Sequence, residues 1–274
     1  MPLGPNSYGK SGIRLVRISR RPERDDLKDL IVAVRFEGEF EAAHVAGDNA
    51  AVLPTDTMKN TVYALAKERA FEEIEDLGLT LSEHFLRENS QVSRVEISLE
   101  ERRWDRIAAT AFEGSSNERR TALVSRSRET ASVESGLKDL LILKSSHSAF
   151  SGFRRDRYTT LEETEDRILA TSLTAVWTHA SSNGPFAGAW EAVRRTLLEA
   201  FAAHDSASVQ HTLYAMGEAA LAAHSELVQV HLTMPNRHHL LVDLSPFGLT
   251  NENEVFVATE APYGLIEATI SRDR

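Results

Sequence analysis

Four stretches of this chain carry side chains suited to proton or anion chemistry. The first is Tyr8-Gly9-Lys10, which brings an amine. The second is Leu53-Pro54-Thr55-Asp56-Thr57-Met58-Lys59-Asn60-Thr61-Val62-Tyr63, with a hydroxyl and a carboxylate directly after a proline. The third starts at Phe150, runs through the arginine-rich 154–157, and reaches Asp166-Arg167. The fourth is Met234-Pro235-Asn236-Arg237-His238-His239. A lysine can act as a base where its neutral form is favoured, a guanidinium forks onto planar anions, and an imidazole moves protons near neutrality. Each stretch also has a plainer reading. Lys10 would be a solvated lysine just ahead of the first strand. Thr-Asp-Thr after Pro54 would cap a helix. The arginine run would be a charged surface loop. Pro235 would interrupt a strand, because proline lacks a ladder donor.

The remaining chemistry is bounded by what the chain lacks. It has no G-x-S-x-G elbow, Walker loop, G-x-G-x-x-G or H-E-x-x-H. The 10 histidines are scattered. The adjacent pair His238-His239 would point to opposite sides of an extended chain and so would not chelate one metal; no metal site is expected. With 0 Cys, thiolate nucleophiles, disulfides, iron–sulfur clusters and Cys-ligated zinc are excluded. There are 31 Lys+Arg against 41 Asp+Glu, a formal charge of −10, and no basic stripe, so nucleic acid is not an expected partner. No run approaches the ~18 apolar residues of a membrane span. Residues 1–12 hold no apolar signal core.

Hydrophobic periodicity supplies the elements that must hold these stretches. Residues 13–19 alternate, with Ile13, Leu15 and Arg17 on one face and Arg14, Val16 and Ile18 on the other, which predicts a strand. The polar run 22–29 ends it. Residues 30–40, rich in Val, Ile and Phe, predict a second strand joined to the first by a longer loop. Asp56 or Thr57 could cap a helix carrying Thr61, Val62, Leu65 and Ala66. A helix over 71–87 would gather Phe71, Ile74, Leu77, Leu81 and Phe85, although Gly78 costs about 1 kcal/mol against Ala. Val92, Val95, Ile97 and Leu99 mark a third strand, and 119–127 a fourth. The order then returns, with strands over 137–145 and 168–177, helices over 186–203 and 206–224, and strands over 227–234, 240–244 and 254–270.

A shift of 135 lays Val92, Val95, Ile97 and Leu99 on Leu227, Val230, Leu232 and Met234, close to half of the 274 residues. Two tandem β-β-α-α-β-β copies, over 1–135 and 136–274, explain length, pattern and offset together. The plainer reading is that any two amphipathic strands after helices align this way. The predicted fold class is α+β, with antiparallel sheets carrying helices on one face. The other face and the edge strands need cover. Several copies closing a barrel through neighbouring subunits would provide it, which predicts an obligate oligomer.

The chemistry-bearing stretches resemble the urate oxidases (uricases), cofactor-free purine-ring oxidases of the tunnelling fold. The resemblance is carried by YGK at 8–10, LPTDTMKNTVYALAKE at 53–68, LKSSHSAFSGFRRDRYTTLEETEDRILAT at 143–171, DSASVQHTLY at 205–214, MPNRHHLLVDLS at 234–245 and NEVFVATEAPYGLIEATISR at 253–272. They occur in family order over essentially the whole chain. The resemblance implies two tandem tunnelling-fold domains. It also implies conversion of urate, O2 and water to 5-hydroxyisourate and H2O2, with no metal and no organic cofactor. Urate carries its own electrons. Once deprotonated to the dianion it can reduce O2, so the protein need only bind, deprotonate and position.

By motif match, the resemblance makes Lys10 and Thr55 a base dyad whose proton relay continues to His238. Arg167 and Gln210 would grip opposite edges of the planar anion, and Phe150 would stack on its ring. Val209 would offer its backbone N–H, Asp56 would contribute backbone beside Thr55, and Asn236 would hold O2 or water above the ring. The family also implies a homotetramer with sites at subunit interfaces. Many eukaryotic members end in a peroxisomal signal that residues 270–274 do not form, so a bacterial-type cytoplasmic enzyme is expected. Pro54 and the loop 154–157 receive no role. Two alternatives stand. Metal-dependent pterin enzymes of the same fold need clustered His or Cys ligands, and a purine-binding or structural oligomer would need no proton relay.

Overall fold

The computed structural model describes residues 1–114, 116–184 and 186–272; Asp273 and Arg274, from the C-terminal segment considered above, lie outside the described residues. The chain divides into two compact units, Met1–Gly136 with Trp177–Trp190, and Leu137–Val176 with Glu191–Arg274.

In the first unit, β1 (Tyr8–Arg20) and β2 (Asp25–Gly38) form an antiparallel hairpin that sets Ile13 opposite Val32 and Leu15 opposite Leu30. Periodicity leaves 22–29 as loop, yet the turn is short, and Arg21 N–H donates to Arg24 C=O at 3.1 Å. The charged residues beyond it are strand residues with cross-strand partners: Arg20 pairs with Asp25 at 3.1 Å and Arg14 with Asp29 at 2.8 Å. There follow α1 (Glu41–Val45), α2 (Thr55–Glu68), α3 (Ile74–Glu88), β3 (Val92–Arg102), β4 (Asp105–Ala108), β5 (Ala111–Glu113) and β6 (Arg119–Ser127). The strands line up as β1-β2-β3-β6, each neighbouring pair antiparallel. Met58 and Val62 of α2 and Ile74, Leu77, Leu81 and Phe85 of α3 are buried in one core with Val34, Phe36, Ile97 and Leu99 of the sheet. Such side chains contribute about 1.5–3 kcal/mol each on full burial.

The second half of the chain supplies β7 (Ala131–Lys144), β8 (Leu169–His179), α4 (Ala189–Ala203), α5 (Val209–Ala223), β9 (Leu227–Asn236), β10 (His239–Leu241), β11 (Phe256–Ala258) and β12 (Gly264–Ser271). Its strand order β7-β8-β9-β12 reproduces that of the first half. Each half also breaks the pattern at the same point, with a small two-stranded excursion before the last strand: β4–β5 in one and β10–β11 in the other. The eight residues aligned by the 135-residue shift are all at 0% exposure.

The two halves share a further device. Gly78 lies within α3, and a Cβ there would meet Val124 Cγ2 of β6 at 2.6 Å; in α5, a Cβ on Gly217 would meet Ile270 Cδ1 of β12 at 2.6 Å. In each half the last helix, α3 or α5, touches the last strand through a glycine. The helix-propensity cost of Gly78 is thus the condition for close helix–sheet packing.

Several boundaries differ from the periodicity. Strand β9 runs through Pro235 to Asn236, paired there with Leu265 and Gly264, so proline does not end it. The run 254–270 is two strands, β11 and β12, because Pro262 offers no ladder donor. Helix α4 starts at Ala189, three residues later than its apolar pattern. The excursion β4–β5 and helix α1 span three to five residues each, too few for any period to register. Among the described residues β1 in the first half and β12 in the second have one strand neighbour each.

Candidate active site

Lys10, Thr55 and Asp56 lie in the first unit. Lys10 is inside β1, opposite Val34, rather than ahead of the strand, and a bulge separates it from Ile13. Tyr8, on the same side of the strand, clamps this end of β1 to the chain entering α2. Its hydroxyl accepts from the Leu53 N–H at 2.9 Å and donates to the Leu53 C=O at 3.3 Å. Its ring stands edge-on to Phe36 and Phe40, with centroids 5.8 and 4.7 Å away. Burial raises the Tyr8 pKa against the opposing Leu53 hydrogen bond, which keeps the phenol neutral and able to donate and accept at once.

Thr55 is the first residue of α2, with Pro54 in the cap position and no side-chain cap. The Asp56 carboxylate does not cap the helix either. It binds the Lys59 ammonium and accepts from Asn60 Nδ2 at 3.0 Å. The Lys59 hydrogen bond and charge lower the Asp56 pKa, and the Lys10 charge adds a smaller pull in the same direction. Lys10 is therefore within electrostatic reach of the first turn of α2.

Phe150, Arg167, Val209, Gln210, Asn236 and His238 lie in the second unit. Backbone hydrogen bonds lace their segments together. Phe150 and Thr164 exchange N–H···O bonds at 2.8 and 3.1 Å, Arg167 N–H donates to Ser148 C=O at 2.7 Å, and Ala149 N–H donates to Ser206 C=O at 2.7 Å. These bonds put Phe150, Arg167 and the start of α5 in one neighbourhood. Val209 and Gln210 open α5, where backbone N–H groups have no intrahelical acceptor. Ser208 caps the helix by accepting from His211 N–H at 3.1 Å. Val209 is buried and the Gln210 side chain exposed. Asn236 is buried at the end of β9, and Arg237 N–H donates to Ala170 C=O at 2.8 Å. That bond ties the residue before His238 to the start of β8.

Arg167 holds the most informative geometry. Its guanidinium carbon lies 4.9 Å from the Phe150 ring centroid. Its Nε is buried with no acceptor among the described residues, and the neighbouring Ser148 Oγ is likewise buried without a partner. Burial pulls the Arg167 pKa down by disfavouring its charge, and a bound anion would reverse that penalty. Among the described residues no three His, Cys, Asp or Glu side chains group as a metal site. No described helix is long and apolar enough to cross a membrane.

The family model described as Uricase matches residues 6–132 and again residues 133–267. The chain belongs to the uricase family. The uricase of Arthrobacter globiformis is 45% identical over 273 residues, covering 99% of this chain and 90% of that protein. That of Dictyostelium discoideum is 37% identical over 276 residues, covering 97% and 96%. The crystal structure of the Arthrobacter globiformis uricase matches with a TM-score of 0.97, covering 100% of this chain and 96% of that one.

For a uricase chain, the geometry gives roles to two residues of the quoted stretches that the motifs leave without one. Tyr8 holds the Thr55 segment through the backbone of Leu53, and Asp166 Oδ1 accepts from Ser148 N–H at 3.3 Å. Both act between side chain and backbone across 45 and 18 residues, where no period can point to them.

Proposed function

We propose that this uricase-family chain oxidises urate with O2 and water to 5-hydroxyisourate and H2O2. The observation that carries the reading is Arg167, whose buried Nε donor, beside the Phe150 ring, has no acceptor among the described residues. A planar anion with acceptors along one edge meets such a donor while its ring stacks on Phe150. Hydrogen bonds to charged groups contribute about 1.5–3 kcal/mol each, and stacking adds about 0.5–1.5 kcal/mol beyond burial. The Gln210 amide takes the opposite edge, and the Val209 and Asp56 N–H groups are further donors. The Thr55 hydroxyl receives a proton from bound urate and passes one to the Lys10 amine. The resulting dianion gives its electrons to O2, which the Asn236 amide holds above the ring. Water then adds its hydroxyl to C5 of the oxidised ring, and the proton it releases, with one returned through His238, turns the peroxide into H2O2. No metal or organic cofactor enters this reading.

The working form is read as a homotetramer of tunnelling-fold halves, 1–135 and 136–274, acting in the cytoplasm. In it, Lys10, Thr55 and Asp56 of one subunit serve the site whose Phe150, Arg167, Gln210 and His238 come from a neighbour. The edges of the sheet support this: Val16 and Ile18 on β1 are 57% and 48% exposed, and Leu265 on β12 is 61% exposed. Mixing two inactive variants tests both chemistry and assembly. Subunits carrying Lys10→Ala with Thr55→Ala, co-refolded with Arg167→Ala subunits, regain turnover if sites are shared, because some sites then receive two intact halves. Absence of any regain in a demonstrated mixed tetramer contradicts the shared site.

A further inference from the structure

Phe150 does not stand alone. Phe153 stacks on it with ring planes 15° apart and centroids 4.9 Å apart. The Arg155 guanidinium carbon lies 5.5 Å from the Phe153 centroid. With Arg167 at 4.9 Å from Phe150, the side chains form a run Arg155–Phe153–Phe150–Arg167, cationic at both ends and aromatic in the middle. The backbone builds it. Two hydrogen bonds with Thr164 pin Phe150, yet its ring can still turn about its side-chain torsions. Gly152, at φ 67°, turns the chain back in a conformation side-chain-bearing residues rarely adopt. Phe153 then folds against Phe150. Asp156 closes the next turn: its N–H donates to Thr159 Oγ1 at 2.8 Å, and its carboxylate accepts from Tyr158 N–H at 2.9 Å. The loop holding Arg155 is thereby shaped by its own hydrogen bonds.

We infer that Phe153, braced by Arg155, is a positioning residue that sets the plane of the Phe150 ring, and through it the plane in which a purine presents its edge to Arg167. The inference rests on Phe150 and Arg167 being the stacking and pairing partners of urate. A purine stacked on Phe150 takes up the plane of that ring. The unpartnered Arg167 Nε meets an acceptor only if the purine edge lies at its own height. A tilt of Phe150 therefore costs the Arg167 hydrogen bond as well as stacking area. The exposed arginine run gains a role at Arg155, whose cation lies against the outer aromatic ring. Phe153 itself touches no substrate atom.

The test uses the full-length assembled protein, steady-state kinetics with urate, and equilibrium binding of xanthine, a purinedione without the C8 oxygen. Phe153→Leu should raise the urate KM and weaken xanthine binding by about 3- to 10-fold, with kcat changed less than twofold. Phe153→Tyr should restore both constants. Phe153→Met replaces Phe153→Leu if the latter does not fold. Unchanged KM and xanthine affinity in a folded truncation overturn the inference, as does a loss confined to kcat. Wild-type protein that neither binds xanthine nor consumes urate overturns the underlying reading instead, and the inference with it.

Discussion

The Tyr8 hydroxyl grips both polar groups of the Leu53 backbone, accepting from its N–H at 2.9 Å and donating to its C=O at 3.3 Å. One side chain thus ties the strand that carries Lys10 to the turn that presents Thr55. Tyr8→Phe keeps the ring packing and deletes the tie. The expected result is a kcat lowered about tenfold and stability lowered by about 1–3 kcal/mol. Xanthine affinity should fall less than kcat, because Arg167 and Phe150 belong to the other unit and only the Asp56 N–H lies in the loosened segment. A variant with wild-type kcat would remove Tyr8 from the account.

Arg167→Lys keeps a positive charge and removes the planar fork. Losing one or two charge-assisted hydrogen bonds should raise the urate KM by about 10- to 100-fold. An unchanged KM would mean that the anion is held elsewhere.

Gly78→Ala and Gly217→Ala set two effects against each other. Alanine improves helix propensity by about 1 kcal/mol. Its Cβ would stand 2.6 Å from a methyl of Val124 or Ile270, and overpacking costs about 1–3 kcal/mol. Both contacted residues are β-branched and held in strands, so overpacking should win and lower the urea midpoint in each variant. A raised midpoint would show that helix and strand can move apart freely.

His204 follows α4, its ring centroid 4.3 Å from that of His211 and its Nδ1 3.3 Å from Thr212 Oγ1. Burial, then the His211 and Lys144 charges, push its pKa below the ordinary 6.5, with Asp205 opposing. As pH falls, the unfolded chain therefore takes up this proton first. The stability linked to neutral His204 is present above about pH 6.5 and is lost as pH falls through that value toward the folded pKa. Tm should drop on acidification across this range, and His204→Gln should flatten the drop. An identical pH profile in the variant would refute the assignment.

Much of this architecture is legible in sequence because burial follows the period. Ile97 and Leu232 alternate with polar neighbours, and the offset between such positions exposes the duplication. Lys10 is misplaced by the same logic. Tyr8 to Gly12 contain little apolar side chain, so nothing in their pattern announces a strand that is held by pairing with β2. Asp25 and Asp29 look like loop because cross-strand arginines, invisible to periodicity, neutralise them. Phe150, Arg167 and Gln210 carry their motif in the sequence, but the backbone mesh through Thr164 and Ser206 that gathers them joins segments far apart in the chain. The stack of Phe153 on Phe150 depends on one left-handed glycine, which spacing alone does not reveal.

The most direct measurement follows urate by ultraviolet absorbance and O2 by electrode in the same vessel, using chelator-treated protein. The account predicts that both disappear in a one-to-one ratio, with H2O2 formed in equal amount. A folded, assembled protein that binds xanthine yet consumes neither urate nor O2 would contradict it.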